Sequence, residues 1–506
     1  MSDTHIQVCS PATDEPIGSV PVASPADVAA AAARARAAQV EWAKLSLEER
    51  CQVLRQVKNV IIDRTDEICD LLSKEQGKPK IEAMVHEVAN LVDLIHYFTS
   101  EAERILAPEP IPLHLLKHRA SYLHWTPRGV VGVIGPWNFP FNICNAPAVV
   151  ALIAGNGVLV KPSEYTPLVQ DLAKDIFVEG GVPEDLFQVV HGYAETGAAV
   201  IDNVDMIEFT GSVATGRKVA AQCGERLIPC VTELGGKAPA LVLPDANLDR
   251  TAGALAWGGF ANCGQVCASV ERVLVHRSVV SPLLDKLLPM VQALQPGNTQ
   301  ADDAVQIGPL NNRRQRDIVQ SRVEDAVAKG AKVLVGGHTI DGPGNFFEPT
   351  VLMDVTPEMD IMNHETFGPV LPIMVMDDVD AMVEEANRSH LGLLAYVFSR
   401  DAETARVVAE RVEAGTVMVN DVLSTHGMPE TPWGGVKASG VGHTHGDDSL
   451  RHMCQQRHVN YDRLPPMRRE LFWYPYGPGM YSLFKRTVGA VLGTGWANRL
   501  RWLRGG

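Results

Sequence analysis

The stretch Gly129-Val-Val-Gly-Val-Ile-Gly-Pro-Trp-Asn-Phe-Pro140, continued to Asn156-Gly-Val-Leu-Val160, decides the fold. No charged residue occurs between Arg128 and Lys161. Hydropathy alone would read so long an apolar segment as a membrane span. Pro136, Asn138, Pro140, Asn142, Asn145, Pro147 and Asn156 interrupt it, however, and their polar and helix-breaking groups suit buried protein rather than lipid. The pattern therefore predicts two buried strands with a loop and a helix between them.

The same alternation extends outward. Gln188-Val-Val-His and Met206-Ile-Glu-Phe-Thr read as further strands, with helical patterns between them. After Glu233 a second series follows: Pro239-Ala-Leu-Val-Leu, Arg272-Val-Leu-Val-His, Pro372-Ile-Met-Val-Met, Leu394-Ala-Tyr-Val-Phe and Thr416-Val-Met-Val-Asn. Helical stretches occupy 248–260, 279–294, 311–329, 378–388 and 401–413. Strands alternating with helices predict parallel sheets covered on both faces. The fold class is α/β, with two such units and a boundary near Leu234-Gly-Gly.

Before this region, residues 1–25 are polar and Pro-rich with short strand-like pieces, and helical patterns run from Ala26 to about Leu106. Ser24-Pro-Ala-Asp and Ser46-Leu-Glu-Glu are helix starts. Pro108 to Pro112 ends the helical pattern, and Ile111 to Trp125 reads as extended, as does 449–464. The last block, 465–506, holds seven basic residues (Arg468, Arg469, Lys485, Arg486, Arg499, Arg501, Arg504) against Glu470, together with Phe472, Trp473, Tyr474, Tyr476, Tyr481, Phe484, Trp496 and Trp502.

Hydrophobic residues make up 46% of the 506 and charged residues 21%, which suits a large packed core. The net charge of -15 argues against a nucleic-acid binder, whose footprint is basic. Nine scattered cysteines without a CxxC pair argue against a disulfide scaffold or a zinc site and for a reducing compartment. His443, His445, His452 and His458 have no ligand spacing, so no metal is expected. Met1-Ser-Asp-Thr-His has no basic segment followed by an apolar one, so no secretory leader is expected.

The chemistry-bearing stretch is Trp257-Gly-Gly-Phe-Ala-Asn-Cys-Gly-Gln-Val-Cys267, which enters the apolar run Val273-Leu-Val-His276. A thiol on a tight turn beside a core strand suits a fixed nucleophile, although most free cysteines are small buried hydrophobes. A thiolate attacking a carbonyl needs donors for the developing oxyanion. Asn138, on a Pro-flanked loop after a strand, offers an amide, or is a plain Asn turn. Hydrolysis of an acyl intermediate needs a base. Glu233, at a strand end before Leu234-Gly-Gly, suits that role, or pairs with Lys237. Phe209-Thr-Gly211-Ser212 follows a strand and opens a helix, where a phosphate could sit. Lys161-Pro-Ser163-Glu164 follows another strand, and its carboxylate could accept from ribose hydroxyls or cap a turn. No strict GxGxxG occurs.

In combination these motifs resemble the aldehyde dehydrogenase superfamily. They are Pro136-Trp-Asn138-Phe-Pro, Lys161-Pro-Ser-Glu164, Phe209-Thr-Gly-Ser212, Glu233-Leu-Gly-Gly-Lys, Asn262-Cys-Gly-Gln-Val-Cys267, Glu365-Thr-Phe367-Gly-Pro-Val, Asn420 and Trp433-Gly-Gly-Val-Lys-Ala-Ser-Gly440. They stand in the family's order and span about 15–464. The resemblance implies a non-acylating, hydrolytic NAD(P)-dependent enzyme. Cys267 would be the nucleophile, Asn138 the oxyanion donor with the Cys267 N–H, and Glu233 the base for water. Lys161, Ser163 and Glu164 would face the adenosine ribose. Trp137, Gly211, Ser212 and Leu234 would face the rest of the dinucleotide, with Glu365 and Phe367 at the nicotinamide end. Glu164 favours NAD by repelling a 2′-phosphate, while Ser163 and Lys161 leave NADP open.

The resemblance further implies a Rossmann-like NAD(P)-binding domain at 1–108 and 128–234 and a catalytic domain at 235–448. Residues 109–127 and 449–464 would form an oligomerisation arm, with 465–506 as an extension. It implies a homodimer or homotetramer acting on a small-molecule aldehyde in the cytoplasm. Cys263 would lie close to Cys267 on a helical turn, as filler or as a redox partner. The extension suits a tunnel edge, a neighbouring subunit or a peripheral membrane contact. For substrate, broad-specificity aliphatic or aromatic aldehydes compete with succinate semialdehyde, whose distal carboxylate would need a partner such as Arg272. A non-catalytic binding or structural relative is the alternative from another class.

Overall fold

The structure, a computed structural model, describes residues 4–302, 304–463, 470 and 472–504. Met1 to Asp3, on which part of the leader expectation falls, and the tail cations Arg468 and Arg469 lie outside the described residues.

The charge-free stretch forms a strand–helix–strand unit: Val130–Ile134, Asn142–Ile153 and Gly157–Lys161. The helix continues through Pro147, and both strands are wholly buried. Five strands run parallel in one sheet, in the order Cys230–Glu233, Met206–Thr210, Val130–Ile134, Gly157–Lys161 and Phe187–Val189. Gly440–Val441 adds an antiparallel edge against Cys230–Glu233. One face of the sheet packs on Leu54, Val57, Phe98 and Val149, and the other on Val28, Ala35, Val200 and Val219. Burial on both faces explains why these strands read as continuous apolar runs.

A second sheet has seven strands, ordered Lys332–Val335, Thr350–Met353, Val370–Met376, Arg272–His276, Pro239–Val242, Leu394–Phe398 and Thr416–Val419. Lys332–Val335 pairs antiparallel, and the other pairings are parallel. The fold is α/β with two parallel-rich sheets, as the alternation predicts. Lys332–Val335 and Thr350–Met353 escape the sequence reading because both are short and one has only partly covered faces.

Compact packing divides the chain into two units: Met1–Ala107 with Trp125–Gln456, and Pro108–His124 with Arg457–Gly506. A three-stranded sheet is ordered Cys454–Asp462, Arg119–Pro127, Glu109–Pro110. Two expectations change here. Residues 111–118 form no strand, so the extended segment begins at Arg119. Residues Gly446–His452 are helical, with Asp447 and Asp448 in the first turn and Arg451 and His452 in the last, a charge order that suits the helix dipole. The tail forms two helices, Met480–Leu492 and Trp496–Leu503. Among the described residues no helix is long and apolar enough to cross a membrane.

Candidate active site

Helix Leu248–Phe260 stops just before the candidate nucleophile. Asn262, Cys263 and Gly264 then take φ of +49°, +57° and +71°, three successive left-handed residues. Such backbone is costly for side chains other than glycine and persists only where the surroundings hold it. Asn262 supplies that hold. Its N–H donates to Glu82 at 2.7 Å, its Oδ1 accepts from Gln76 at 2.9 Å, and its Nδ2 donates to the Asn138 carbonyl at 3.0 Å. Gly264 is required for space as well, since a Cβ there would sit 2.1 Å from the Gly368 carbonyl oxygen. This turn replaces the helical turn expected for Cys263 and Cys267. Cys263 is buried, and both cysteines are free thiols.

Cys267 emerges from this turn with part of its surface open. Burial of the sulfur, then the neighbouring Glu365 and Glu233 carboxyls, push the thiol up to about 12, against N–H groups of Ala268 and Cys267 itself that lower it. Asn138 is buried beside it, and its Nδ2 donates to the Gln265 carbonyl at 3.0 Å. The Asn138 carbonyl accepts from Lys78 Nζ at 2.8 Å. Lys78 in turn pairs with Glu87 at 2.6 Å with both side chains fully buried. The second Glu87 oxygen accepts from the N–H groups of Phe141 and Asn142 at 3.0 and 2.7 Å. One buried ion pair thus fixes both sides of the Asn138 loop.

Glu233 ends its strand fully buried. Its carboxyl is pushed well above the usual range, chiefly by burial and then by the nearby carboxyl of Glu208, while the Trp433 indole lowers it in part. The alternative pairing with Lys237 is not formed: Lys237 Nζ donates to Glu271 at 2.6 Å and to Thr366 at 3.2 Å. Glu271 also accepts from the N–H groups of Thr366 and Phe367, which carries the Glu365–Phe367 segment to the site.

A cleft of about 660 Å³ opens along the carboxyl ends of the first sheet. In open parallel sheets this is where ligands bind. Every sequence-derived candidate lines it: Cys267, Glu233 and Asn138 at one part, with Trp137, Lys161, Ser163, Glu164, Gly211, Ser212, Leu234, Glu365 and Phe367. Ser212 caps the helix Val213–Arg226, accepting from Thr215 N–H, so a positive helix end faces the cleft. Glu365 accepts from Gly236 N–H at 3.0 Å, and burial, then Glu271, raise its carboxyl to about 7. Phe367, at φ +52°, meets the Trp137 ring edge-on at 5.3 Å. Lys161 is buried and donates to the Pro162 carbonyl at 2.7 Å. A helix N-terminus, a cation and carboxylates after successive strands, and an aromatic pair fit a nicotinamide dinucleotide.

Cys267 also lines two smaller cavities, one of which shares Thr210, Glu233 and Leu234 with the cleft. One is walled by Phe139, Ile143, Val266, Leu423, His426 and Trp433 among others. The second adds Leu94, Val150, Met453, His445 and Glu208. Among the described residues no Lys or Arg lines either cavity. Arg272 is elsewhere: buried in its strand, it donates to the carbonyls of Lys237, Glu385 and Ala386. His118, Asp462 and Glu470 bring ligand atoms within 4.8 Å of one another, but Arg119 pairs with both carboxylates.

The aldehyde dehydrogenase family model matches residues 1–459. The chain is 37% identical over 499 residues to a Methylomonas protein named 4,4'-diapolycopene aldehyde oxidase, covering 97% of this chain and 92% of that protein. The chain belongs to the aldehyde dehydrogenase family. It is 38% identical over 441 residues to a putative succinate-semialdehyde dehydrogenase [NADP(+)] 2 of Mycobacterium tuberculosis H37Rv, covering 87% of this chain and 85% of that one. Its structure is similar to that of an NAD-dependent aldehyde dehydrogenase from Sinorhizobium meliloti, with a TM-score of 0.88, 34% identity and 94% of each chain covered.

Several residues of this aldehyde dehydrogenase's site carry no signal in the sequence. Lys78, Glu87, Glu82 and Gln76 lie in an N-terminal helical region whose charges read as solvated helix faces, and only tertiary packing brings them beneath Asn138 and Asn262. Glu208 sits inside a strand that reads as core. Tyr165, Tyr193, Arg314 and Gln315 also line the cleft.

Proposed function

We propose that this enzyme oxidises apolar aldehydes to carboxylic acids with NAD, NADP being the second choice. The observation that carries this is the position of Cys267 on the wall of both the long cleft and the apolar cavities. A carbonyl entering from the apolar side meets the sulfur where the cleft ends.

In this reading the Cys267 sulfur adds to the aldehyde carbon, and the alkoxide formed takes a hydrogen bond from the free N–H of the Asn138 amide. A dinucleotide bound in the cleft would supply the hydride acceptor. Lys161, Ser163 and Glu164 would hold its adenosine ribose, Gly211, Ser212, Leu234 and Trp137 its diphosphate region, and Glu365 and Phe367 its nicotinamide end. Glu233 takes a proton from water, whose oxygen bonds to the acyl carbon as the carbon–sulfur bond breaks, releasing the acid and the Cys267 thiolate. Relatives that pass the acyl group to coenzyme A commonly lack such a base.

Substrate class follows from the cavity walls. Side chains such as Phe139, Ile143, Val266 and Leu423 offer no counter-ion for a distal carboxylate, and Arg272 is consumed by backbone carbonyls. This supports a broad apolar class over succinate semialdehyde. An apolar aldehyde also stands in the name of the Methylomonas relative. A panel of octanal, benzaldehyde and succinic semialdehyde with NAD and NADP tests the reading. Preference for the apolar substrates is expected, and a preference for succinic semialdehyde overturns it.

For domain roles, 1–108 and 128–234 are read as the cofactor domain and 235–448 as the catalytic domain. Strand Cys454–Asp462 has an unpaired outer edge among the described residues, and such edges pair readily with a second copy. This supports 109–127 and 449–464 as the arm of a homodimer or homotetramer, which light scattering tests. The tail helices expose Tyr481, Leu483, Val488, Val491, Leu492 and Trp496 beside Lys485, Arg486 and Arg499. Aromatic and basic residues on unburied helices support peripheral contact with an anionic membrane. Sedimentation with phosphatidylserine vesicles should retain the full chain and lose a chain ending at 470.

A further inference from the structure

Asn142 opens the helix Asn142–Ile153 and is 2% exposed. It lines the cavity walled by Phe139, Val266, Leu423 and Cys267. Its backbone N–H donates to Glu87 at 2.7 Å, and its Nδ2 donates to the His86 carbonyl at 3.3 Å. The second contact fixes which end of the amide is oxygen. Among the described residues that oxygen, Oδ1, has no hydrogen-bond partner. A buried amide oxygen without a donor is costly, and native interiors seldom keep one without use.

The same wall holds a second such atom. His86 lines the cavity, and its Nε2 is buried without a partner among the described residues. Packing holds the ring: it stacks on Trp257 at 5.6 Å and meets Phe139 edge-on at 5.9 Å. His86 lies in Met84–Ala89, a π-helical turn between the α-helical segments Lys80–Ala83 and Asn90–Ile105. Such turns are frequent at functional sites. Burial first, then Lys78, push the imidazole down to about 4, so it is neutral. Lys78 lies over the Phe139 ring at 4.1 Å but is paired with Glu87. The cavity therefore offers an acceptor oxygen and a neutral imidazole nitrogen among apolar walls. An acceptor oxygen repels a carboxylate, gains nothing from an alkyl or ether group, and is satisfied by an O–H.

We propose that this cavity selects uncharged aldehydes that carry a hydroxyl remote from the carbonyl, the hydroxyl donating to Asn142 Oδ1 with His86 Nε2 as the second polar contact. This rests on the reading of Cys267 and its apolar substrate proposed above. The carbonyl carbon meets Cys267, the hydrocarbon lies along Phe139, Val266 and Leu423, and the hydroxyl reaches Asn142. No bond changes at the hydroxyl end, so Asn142 sets the choice of substrate and leaves the chemistry to Cys267. A site built to hydrogen-bond a substrate hydroxyl discriminates against the analogue lacking it, because its own polar atom is then left unpaired.

The test compares kcat/KM with NAD for pairs of matched shape: 4-(hydroxymethyl)benzaldehyde against 4-ethylbenzaldehyde, and the 3-substituted counterparts. In the wild type at least one hydroxymethyl aldehyde should be preferred over its ethyl counterpart by about tenfold or more, the scale of one buried polar atom left unpaired. Asn142→Leu should bring that ratio close to one. The ratio is taken within one preparation, so a misfolded fraction leaves it unaltered. His86→Phe keeps the Asn142 acceptor and should retain a reduced preference. Ratios near one for both pairs in the wild type, the result expected if a bound water satisfies Asn142, overturn the proposal. A preference that survives Asn142→Leu unchanged overturns it as well. Turnover of succinic semialdehyde with none of these benzaldehydes would instead sink the apolar reading on which the proposal rests.

Discussion

The Asn138 side-chain amide donates to the Gln265 carbonyl, two residues before Cys267, at 3.0 Å. One N–H is thereby spent on holding the loop that leads to Cys267. In the role proposed above, the same amide would both set distance and stabilise charge. Asn138→Ala should lower kcat by about 10²–10³-fold, the range for loss of one oxyanion donor. Steady-state assays should show KM changing far less than kcat. A loss confined to KM would assign Asn138 to ground-state binding.

Cys267→Ala should abolish production of reduced cofactor, with a loss of at least about 10³-fold. Binding of NAD, followed by quenching of Trp fluorescence, should persist because the variant leaves the cleft walls intact. Residual turnover near the wild-type level would transfer the nucleophile role elsewhere.

Glu87→Gln should destabilise the protein by about 3–5 kcal/mol, since it strands the buried Lys78 ammonium without a counter-ion. Thermal unfolding checks this. Lys78→Met with Glu87→Leu should recover part of the loss, because removing both charges removes the stranded one.

The legibility of these features in the sequence divides by physical kind. Gly264, Gly211 and the strand ends at Lys161, Thr210 and Glu233 are readable because turn chemistry and apolar periodicity are local. Lys78 beneath Asn138 is not readable: a Lys in a charged helical region has the same local pattern whether it meets solvent or a buried carboxylate. Glu208 is hidden for the opposite reason, being one polar residue inside a strand whose other residues announce core. The helix at Gly446–His452 was masked by the neighbouring extended pattern of Cys454–Asp462.

Stability should also register Glu208. Its folded-state value, about 8, lies above its ordinary 4.5. For such a group the native state holds the proton more tightly, so stability is full below the ordinary value and declines as pH rises towards the folded one. Glu208→Gln lacks this decline. Its melting temperature should therefore rise relative to wild type between about pH 5 and 8. A constant difference across that window would place the Glu208 carboxyl in an ordinary solvated environment.

Cofactor choice has a single-residue test. Glu164 places a carboxylate in the cleft where a 2′-phosphate would add charge. Glu164→Gln should raise kcat/KM with NADP relative to NAD by about tenfold, equivalent to about 1.4 kcal/mol of relieved repulsion. An unchanged ratio would move discrimination to Lys161 and Ser163.

A thiol held at about 12 is a poor nucleophile toward everything, not only toward aldehydes. Peroxide and alkylating agents attack thiolates, so the burial that keeps the Cys267 thiol protonated also keeps its sulfur chemically quiet. Vulnerability to oxidants would then rise with whatever exposes that sulfur or draws it towards the thiolate. An electrophile offered to the protein alone should therefore label Cys267 slowly, and faster wherever the thiol is lowered.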